Sequence, residues 1–157
     1  MKSSMPNGSI RGFTLIEAMI ALAVVGLLAV VAIPALDQYA ERARVARAVV
    51  DIGDMSAVIK QWALDNRGLP ETLDAAGLGT RLDPWGQPYR YQELETQKGK
   101  GKSRKDKKLN PLNTDFDLYS IGRDGDTVLP LPPPVSQDDV VRARDGRFIG
   151  LGKDFDP

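Results

Sequence analysis

The sequence predicts an α+β fold: a long N-terminal helix, half membrane-spanning and half amphipathic, packed on a small antiparallel β-sheet. Three observations predict it. An uncharged run from Ala18 to Leu36 follows a short basic leader. Apolar residues at helical spacing continue beyond that run as far as Ala63. The remainder breaks into short β-rich stretches separated by turn residues, the pattern of a sheet packed against one helix.

Residues 1–12 read as a leader. Lys2 and Arg11, with no acid beside them, favour a cytoplasmic N-terminus. Residues 13–36 form the membrane half: Phe13 to Ile16 and the run after Glu17 together span a hydrocarbon core of about 30 Å. A secretory signal would be cut after a shorter apolar region. Here Ala21-Leu22-Ala23 lies inside the run, so the hydrophobic segment stays on the mature protein as an anchor. Glu17 is the acid at its start. A carboxylate in the bilayer costs about 2.5–3.5 kcal/mol on insertion scales and marks a functional site by default. Pro34 removes a backbone donor, which predicts a kink or local melting.

Residues 37–66 continue the helix as an amphipathic half. Val45, Val49, Ile52, Ser56, Ile59 and Ala63 recur every three or four residues, with Met55 and Trp62 beside them; the other face carries Glu41, Arg44, Arg47, Asp51, Asp54, Lys60 and Asp65. Asn66-Arg67-Gly68-Leu69-Pro70 ends it, with Gly68 placed for a left-handed cap. Such a helix is on the order of 80 Å long, which suits a subunit packed in the core of a filament. Residues 67–157 form a small α+β domain covering the apolar stripe. Leu69, Leu73, Leu78 and Leu82 suggest a loop with a short helix. Asp83-Pro84-Trp85-Gly86-Gln87-Pro88 is turn chemistry, and Tyr89–Leu94, Phe116–Ile121 and Phe148–Leu151 are the expected strands.

Composition removes whole classes of function. The 157 residues contain no Cys and no His, so disulfides, zinc sites, Cys nucleophiles and His bases are excluded. The charge is zero, with 21 basic and 21 acidic residues. Lys2 and Arg11 belong to the leader, so the chain after Gly12 carries 19 against 21, a net −2. Bulk charge therefore predicts no polyanion partner. Lys98, Lys100, Lys102, Arg104, Lys105, Lys107 and Lys108 crowd a loop over 96–110 between two expected strands. Basic runs can bind phosphates, but no aromatic lies within this one to stack bases. It reads as a solvated loop, or one facing an acidic neighbouring subunit, with nucleic acid an unlikely partner. Asp115, Asp117, Asp124, Asp126, Asp138 and Asp139 crowd the second half, and flexible oxygen-rich loops are what calcium takes. The spacing is not that of an EF-hand; solvated acids in turns are the plain alternative.

Gly12-Phe13-Thr14-Leu15-Ile16-Glu17, placed between a basic leader and a long apolar run, resembles the processing site of type IV pilins and of the pseudopilins of type II secretion. The resemblance implies cleavage by a prepilin peptidase between Gly12 and Phe13, methylation of the Phe13 amine, and a pilin-like fold. It implies that Glu17 pairs with the N-terminal amine of a neighbouring subunit and sets axial register. The region of Pro34 resembles a segment that loosens on assembly. Asp83-Pro84-Trp85-Gly86 with Pro88-Tyr89, then Asp117-Leu118-Tyr119-Ser120-Ile121-Gly122-Arg123-Asp124-Gly125, is similar to the major pseudopilin of type II secretion. That likeness implies calcium in the loop after the strand, with Ser120 and Asp124 among its ligands and one of Asp138 and Asp139 as the later acid. Leu129 to Ser136, with Pro132-Pro133-Pro134, departs from the Gly-rich loop expected there.

The expectation is a bacterial inner-membrane protein with a single pass, a cytoplasmic N-terminus and a periplasmic C-terminal domain. It assembles into a homo-oligomeric filament with an inner-membrane platform and minor pseudopilins. Two rivals stand beside it: a type IV pilus pilin, binding DNA for uptake through its basic loop, and an anchored periplasmic enzyme working by carboxylates alone. Many pilins close a C-terminal loop with a disulfide, which this chain cannot form.

Overall fold

The computed structural model describes residues 12–95 and 103–157. It divides into two units, one ending at Ala40 and one running from Glu41 to Pro157. Gly12 to Thr14 are irregular, and α1 then runs over Leu15–Asn66, helical on both sides of Pro34.

In the first unit the apolar side chains lie open. Phe13, Leu15, Leu27, Val31 and Leu36 are all exposed, because nothing in the unit offers them a partner. One window of the helix is long and apolar enough to cross a membrane.

In the second unit the helical periodicity finds its partner. Ala48, Ile52, Met55, Ser56 and Ile59 are buried, with Val45 and Val49 packed at their edge. The sheet has four antiparallel strands in sequence order: β1 Arg90–Glu93, β2 Phe116–Ser120, β3 Val140–Ala143 and β4 Phe148–Leu151. Pairing of Leu118 with Tyr91, of Ser120 with Val140 and of Val140 with Leu151 fixes which side chains share a face. Tyr91, Phe116, Leu118, Val140, Ile149 and Leu151 meet the helix. The opposite face presents Tyr119, Val141, Ala143 and Phe148, and it is covered by Leu112, Leu131 and Phe155. The sheet therefore lies between a helix and a layer of irregular chain, and both faces are dry.

Three sequence expectations change. Three strands become four, because Val140–Ala143 is a fully buried strand containing Arg142. The short helix expected around Leu73 is a run of turns held by Gly77 N–H to Asp74 O and Leu78 N–H to Leu73 O, and Leu82 faces outward. The left-handed residue at the end of α1 is Arg67, with φ 57°, and not Gly68. Gly68 N–H bonds Ala63 O at 3.2 Å, the six-to-one closure of a Schellman cap, which places the strained position one residue earlier.

The left-handed conformation costs a residue with a Cβ about 1–2 kcal/mol. Arg67→Gly is therefore expected to stabilise the fold by about 1 kcal/mol in denaturant titration of the full chain in detergent. A neutral or destabilising result would mean that the Arg67 side chain offsets its backbone.

Candidate functional site

The N-terminal site is built by two side chains. Thr14 N–H and Thr14 Oγ1 donate to Glu17 Oε2 at 2.9 and 2.7 Å, and Glu17 N–H donates to Thr14 Oγ1 at 3.3 Å. This is a reciprocal capping box on the first turn of α1. Sequence reasoning passed over it, although Thr14-x-x-Glu17 before an apolar run is its signature. Glu17 thus shapes the start of the helix as well as carrying charge. Phe13 stays outside the helix and is 84% exposed, so the Gly12–Phe13 bond lies in irregular chain just before the helix end.

The turn before β1 ties the sheet to the helix. Asp83 Oδ1 accepts from Trp85 N–H at 3.0 Å and Gln87 N–H at 2.8 Å, and Asp83 Oδ2 accepts from Ser120 Oγ at 2.5 Å. Trp85 Nε1 donates to Glu41 at 3.1 Å. One buried carboxylate therefore closes the Asp83-Pro84-Trp85-Gly86 turn and pins the end of β2. Gly86, at φ 87°, supplies the reversal.

The loop after β2 was expected to carry calcium. Each of the expected ligands has a protein partner. Ser120 Oγ donates to Asp83 and accepts from Gly122 N–H at 3.2 Å. Asp124 Oδ1 accepts from Asp126 N–H at 2.9 Å. Asp138 Oδ2 accepts from Arg123 N–H and Asp124 N–H at 3.0 and 3.2 Å. Gly122 has φ 69°, and a Cβ there would lie 2.6 Å from Asp138 O, so only glycine allows this approach. Asp139 accepts from Arg104 Nη2 at 2.5 Å and from Thr127 Oγ1 at 2.7 Å. Burial pushes the Asp139 carboxyl above its usual range, and the Arg104 charge opposes that rise. Among the described residues no three carboxylates gather as a metal group would require. In this structure each of these side chains accepts a hydrogen bond from a protein donor.

The basic loop also changes. Lys98, Lys100 and Lys102 lie outside the described residues. Arg104 is 1% exposed rather than solvated. Its backbone N–H donates to Asp117 Oδ2 at 2.6 Å, and its guanidinium lies 4.4 Å from the Tyr119 ring centre. It is unavailable to a phosphate. Arg142 is the second buried arginine. It forms a two-bond fork with Asp115 at 2.7 and 2.6 Å, and it donates to Phe116 O at 2.8 Å. Sequence places Arg104 in a solvated basic loop and does not single out Arg142.

Beside Arg142, the turn from β3 to β4 puts Arg144, Asp145 and Gly146 at φ 52°, 56° and 94°. Asp145 accepts from Thr114 N–H at 2.7 Å and Thr114 Oγ1 at 3.0 Å. Burial, the largest influence, raises the Asp145 carboxyl, but the Thr114 bonds together with Asp115 and Arg142 hold it below its ordinary value of 3.8. A lowered carboxyl gives stability that is fully present above the unfolded value and lost as pH falls through the folded one. Asp145→Ala is expected to cost about 1 kcal/mol at neutral pH, after solvent screening. The two proteins should converge in strong acid. Denaturant midpoints measured across acid pH check this, and a constant difference would leave Asp145 without a titrating role.

Residues 8–33 match the prokaryotic N-terminal methylation motif. Type II secretion system core protein G of Pseudomonas aeruginosa is 33% identical over 135 residues, covering 73% of this chain and 84% of that protein. A fimbrial protein of Neisseria meningitidis is 34% identical over 85 residues, covering 54% of this chain and 50% of that protein. Type IV major fimbrial protein FimA of Dichelobacter nodosus is 42% identical over 57 residues, covering 36% of each. The chain spans half or less of these two fimbrial proteins. No solved structure matches.

Proposed function

The chain belongs to the family of the type II secretion system core protein G, the pilin-like pseudopilins, and from that membership we propose that it is the structural subunit of a periplasmic secretion filament. The observation that carries the reading is the methylation motif, which sets Glu17 in front of an exposed membrane-length helix. The fimbrial matches favour a type IV pilus pilin as second reading, but they cover less of the chain than the core protein G match does. The role is structural and not catalytic.

A prepilin peptidase cuts between Gly12 and Phe13, and the new Phe13 amine is methylated. The apolar half of α1 anchors the subunit once in the bacterial inner membrane, with the leader on the cytoplasmic side and the packed unit in the periplasm. The subunit joins copies of itself and minor pseudopilins on an inner-membrane platform. In the bilayer the Glu17 carboxylate neutralises the Phe13 amine of a neighbouring subunit, since an unpaired ion of either sign is costly there. Intact-mass analysis of the membrane form tests the first step. The expected chain begins at N-methylated Phe13; one beginning at Met1, or cut beyond the apolar run, would overturn it.

The capping box lets the second step be isolated. Gln at the same helix position still closes a capping box, whereas Ala does not. Glu17→Gln therefore keeps the helix start and removes only the charge. It is expected to insert and fold normally but to weaken the contact between subunits by roughly 3 kcal/mol, about a hundredfold. Filament yield by negative-stain microscopy reads the outcome. Normal filaments from Glu17→Gln would assign Glu17 to capping alone.

A further inference from the structure

Calcium is held by six to eight oxygens from carboxylates, hydroxyls, backbone carbonyls and water. Part of such a set exists beside the loop between Arg123 and Asp139, and it closes on a side chain. Thr127 Oγ1, Val128 O and Asp139 Oδ2 all accept from the Arg104 guanidinium, the last two at 3.0 and 2.5 Å. The Thr127 hydroxyl in turn donates to Asp139 Oδ2 at 2.7 Å. Arg104 and Asp139 are 1% and 0% exposed. A hydroxyl, a carbonyl and a carboxylate thus converge on one fully enclosed positive charge.

We propose that Arg104 is an internal cation standing in the place of a divalent ion, so that the loop from Arg123 to Asp139 closes without calcium. A guanidinium is always charged and presents its donors in a planar fork. It can meet acceptors from several segments at once, as a metal does, and cannot dissociate. A calcium ion on Asp139 would meet that like charge directly. Asp139 Oδ1 is enclosed and has no partner among the described residues. It adds one oxygen, far short of a calcium shell. The other expected ligands take part in protein hydrogen bonds: Ser120 with Asp83, Asp138 Oδ2 with backbone N–H groups, Asp124 Oδ1 with its own turn. The same geometry explains why a buried arginine sits among surface lysines.

The test uses the full chain in detergent micelles, with thermal unfolding followed by tryptophan fluorescence. The readout is the fold of the subunit, so it stands or falls apart from the filament assignment. Calcium at about 10 mM exceeds the dissociation constants of weak extracellular sites. Against chelator it is expected to move the midpoint by less than about 2 °C, whereas a bound ion at that excess would raise it by about 5 °C. A rise above about 2 °C overturns the proposal. Arg104→Met in chelator is expected to lower the midpoint by roughly 10 °C or more, because Asp139 is left buried without a counter-charge. Arg104→Met with Asp139→Asn should recover at least half of that loss. A harmless Arg104→Met, or a double variant no better than the single one, would show that Asp139 does not depend on Arg104. If Arg104→Met fails to fold, recovery of folding in the double variant supports the pairing and its absence overturns it.

Discussion

A guanidinium without solvent needs acceptors from the protein, and much of the unit from Glu41 to Pro157 is arranged around that demand. Arg104 draws in four segments. Its side chain holds Thr127 and Val128 from one loop and Asp139 from the entry to β3. Its backbone N–H bonds Asp117 in β2, and its carbonyl accepts from Leu112. Leu112 O then accepts from Arg144 N–H at the end of β3. The Thr127–Val128 and Leu112 segments lie outside the sheet, so no strand ladder would otherwise fix them to β2 and β3. Burying the ions costs several kcal/mol each, and well-packed apolar residues would often be as stable. What the ions supply here is position: Arg104 holds the loop at Thr127 and Val128 against Asp139 at the entry to β3.

The two faces of the sheet are closed by different means. On the helix side, Ile52, Met55 and Ile59 meet Phe116, Leu118 and Val140, and the contact is apolar burial at helical and strand periods. At its end Arg142 lies over the Phe116 ring at 4.0 Å and is neutralised by Asp115. On the other side no helix is available. Leu112, Leu131 and Phe155 come from irregular chain, and Asp117 is buried among them. Burial raises the Asp117 carboxyl, while Asn113 and the Arg104 N–H oppose the rise. A dry layer built from loops must satisfy its own backbone groups, which is why asparagine, aspartate and arginine lie inside it.

The parts legible in the sequence are those governed by period. The amphipathic half of α1 followed from spacings of three and four, β1 and β2 from alternating apolar and polar residues between turn residues, and β4 from a short apolar run. β3 was hidden because Val140-Val141-Arg142-Ala143 has a charge inside it and two acids before it, the pattern of a surface turn. Its burial depends on Asp115 and on Asn113, which lie far away in sequence. Arg104 was hidden for the same reason: sequence reports that a residue is charged, not whether water reaches it. The capping box was legible and was masked by the stronger signal of an acid in an apolar run.

Glu17 caps the helix and, in the proposed assembly, also pairs with a neighbouring subunit. Both Thr14 bonds to Glu17 fall on Oε2. The cap therefore engages one edge of the carboxylate and fixes its direction along the first turn. A fixed carboxylate loses less freedom when it meets a cation than a mobile one does. The helix starts at Leu15, beyond the Thr14 cap, so the residue that becomes the N-terminus in the proposed maturation lies outside it. Peptidase, methyl donor and neighbouring subunit would each need that freedom at Phe13, and each would meet a helix end already set. In the proposed assembly, capping and register are successive uses of one charge, the first placing it where the second requires it.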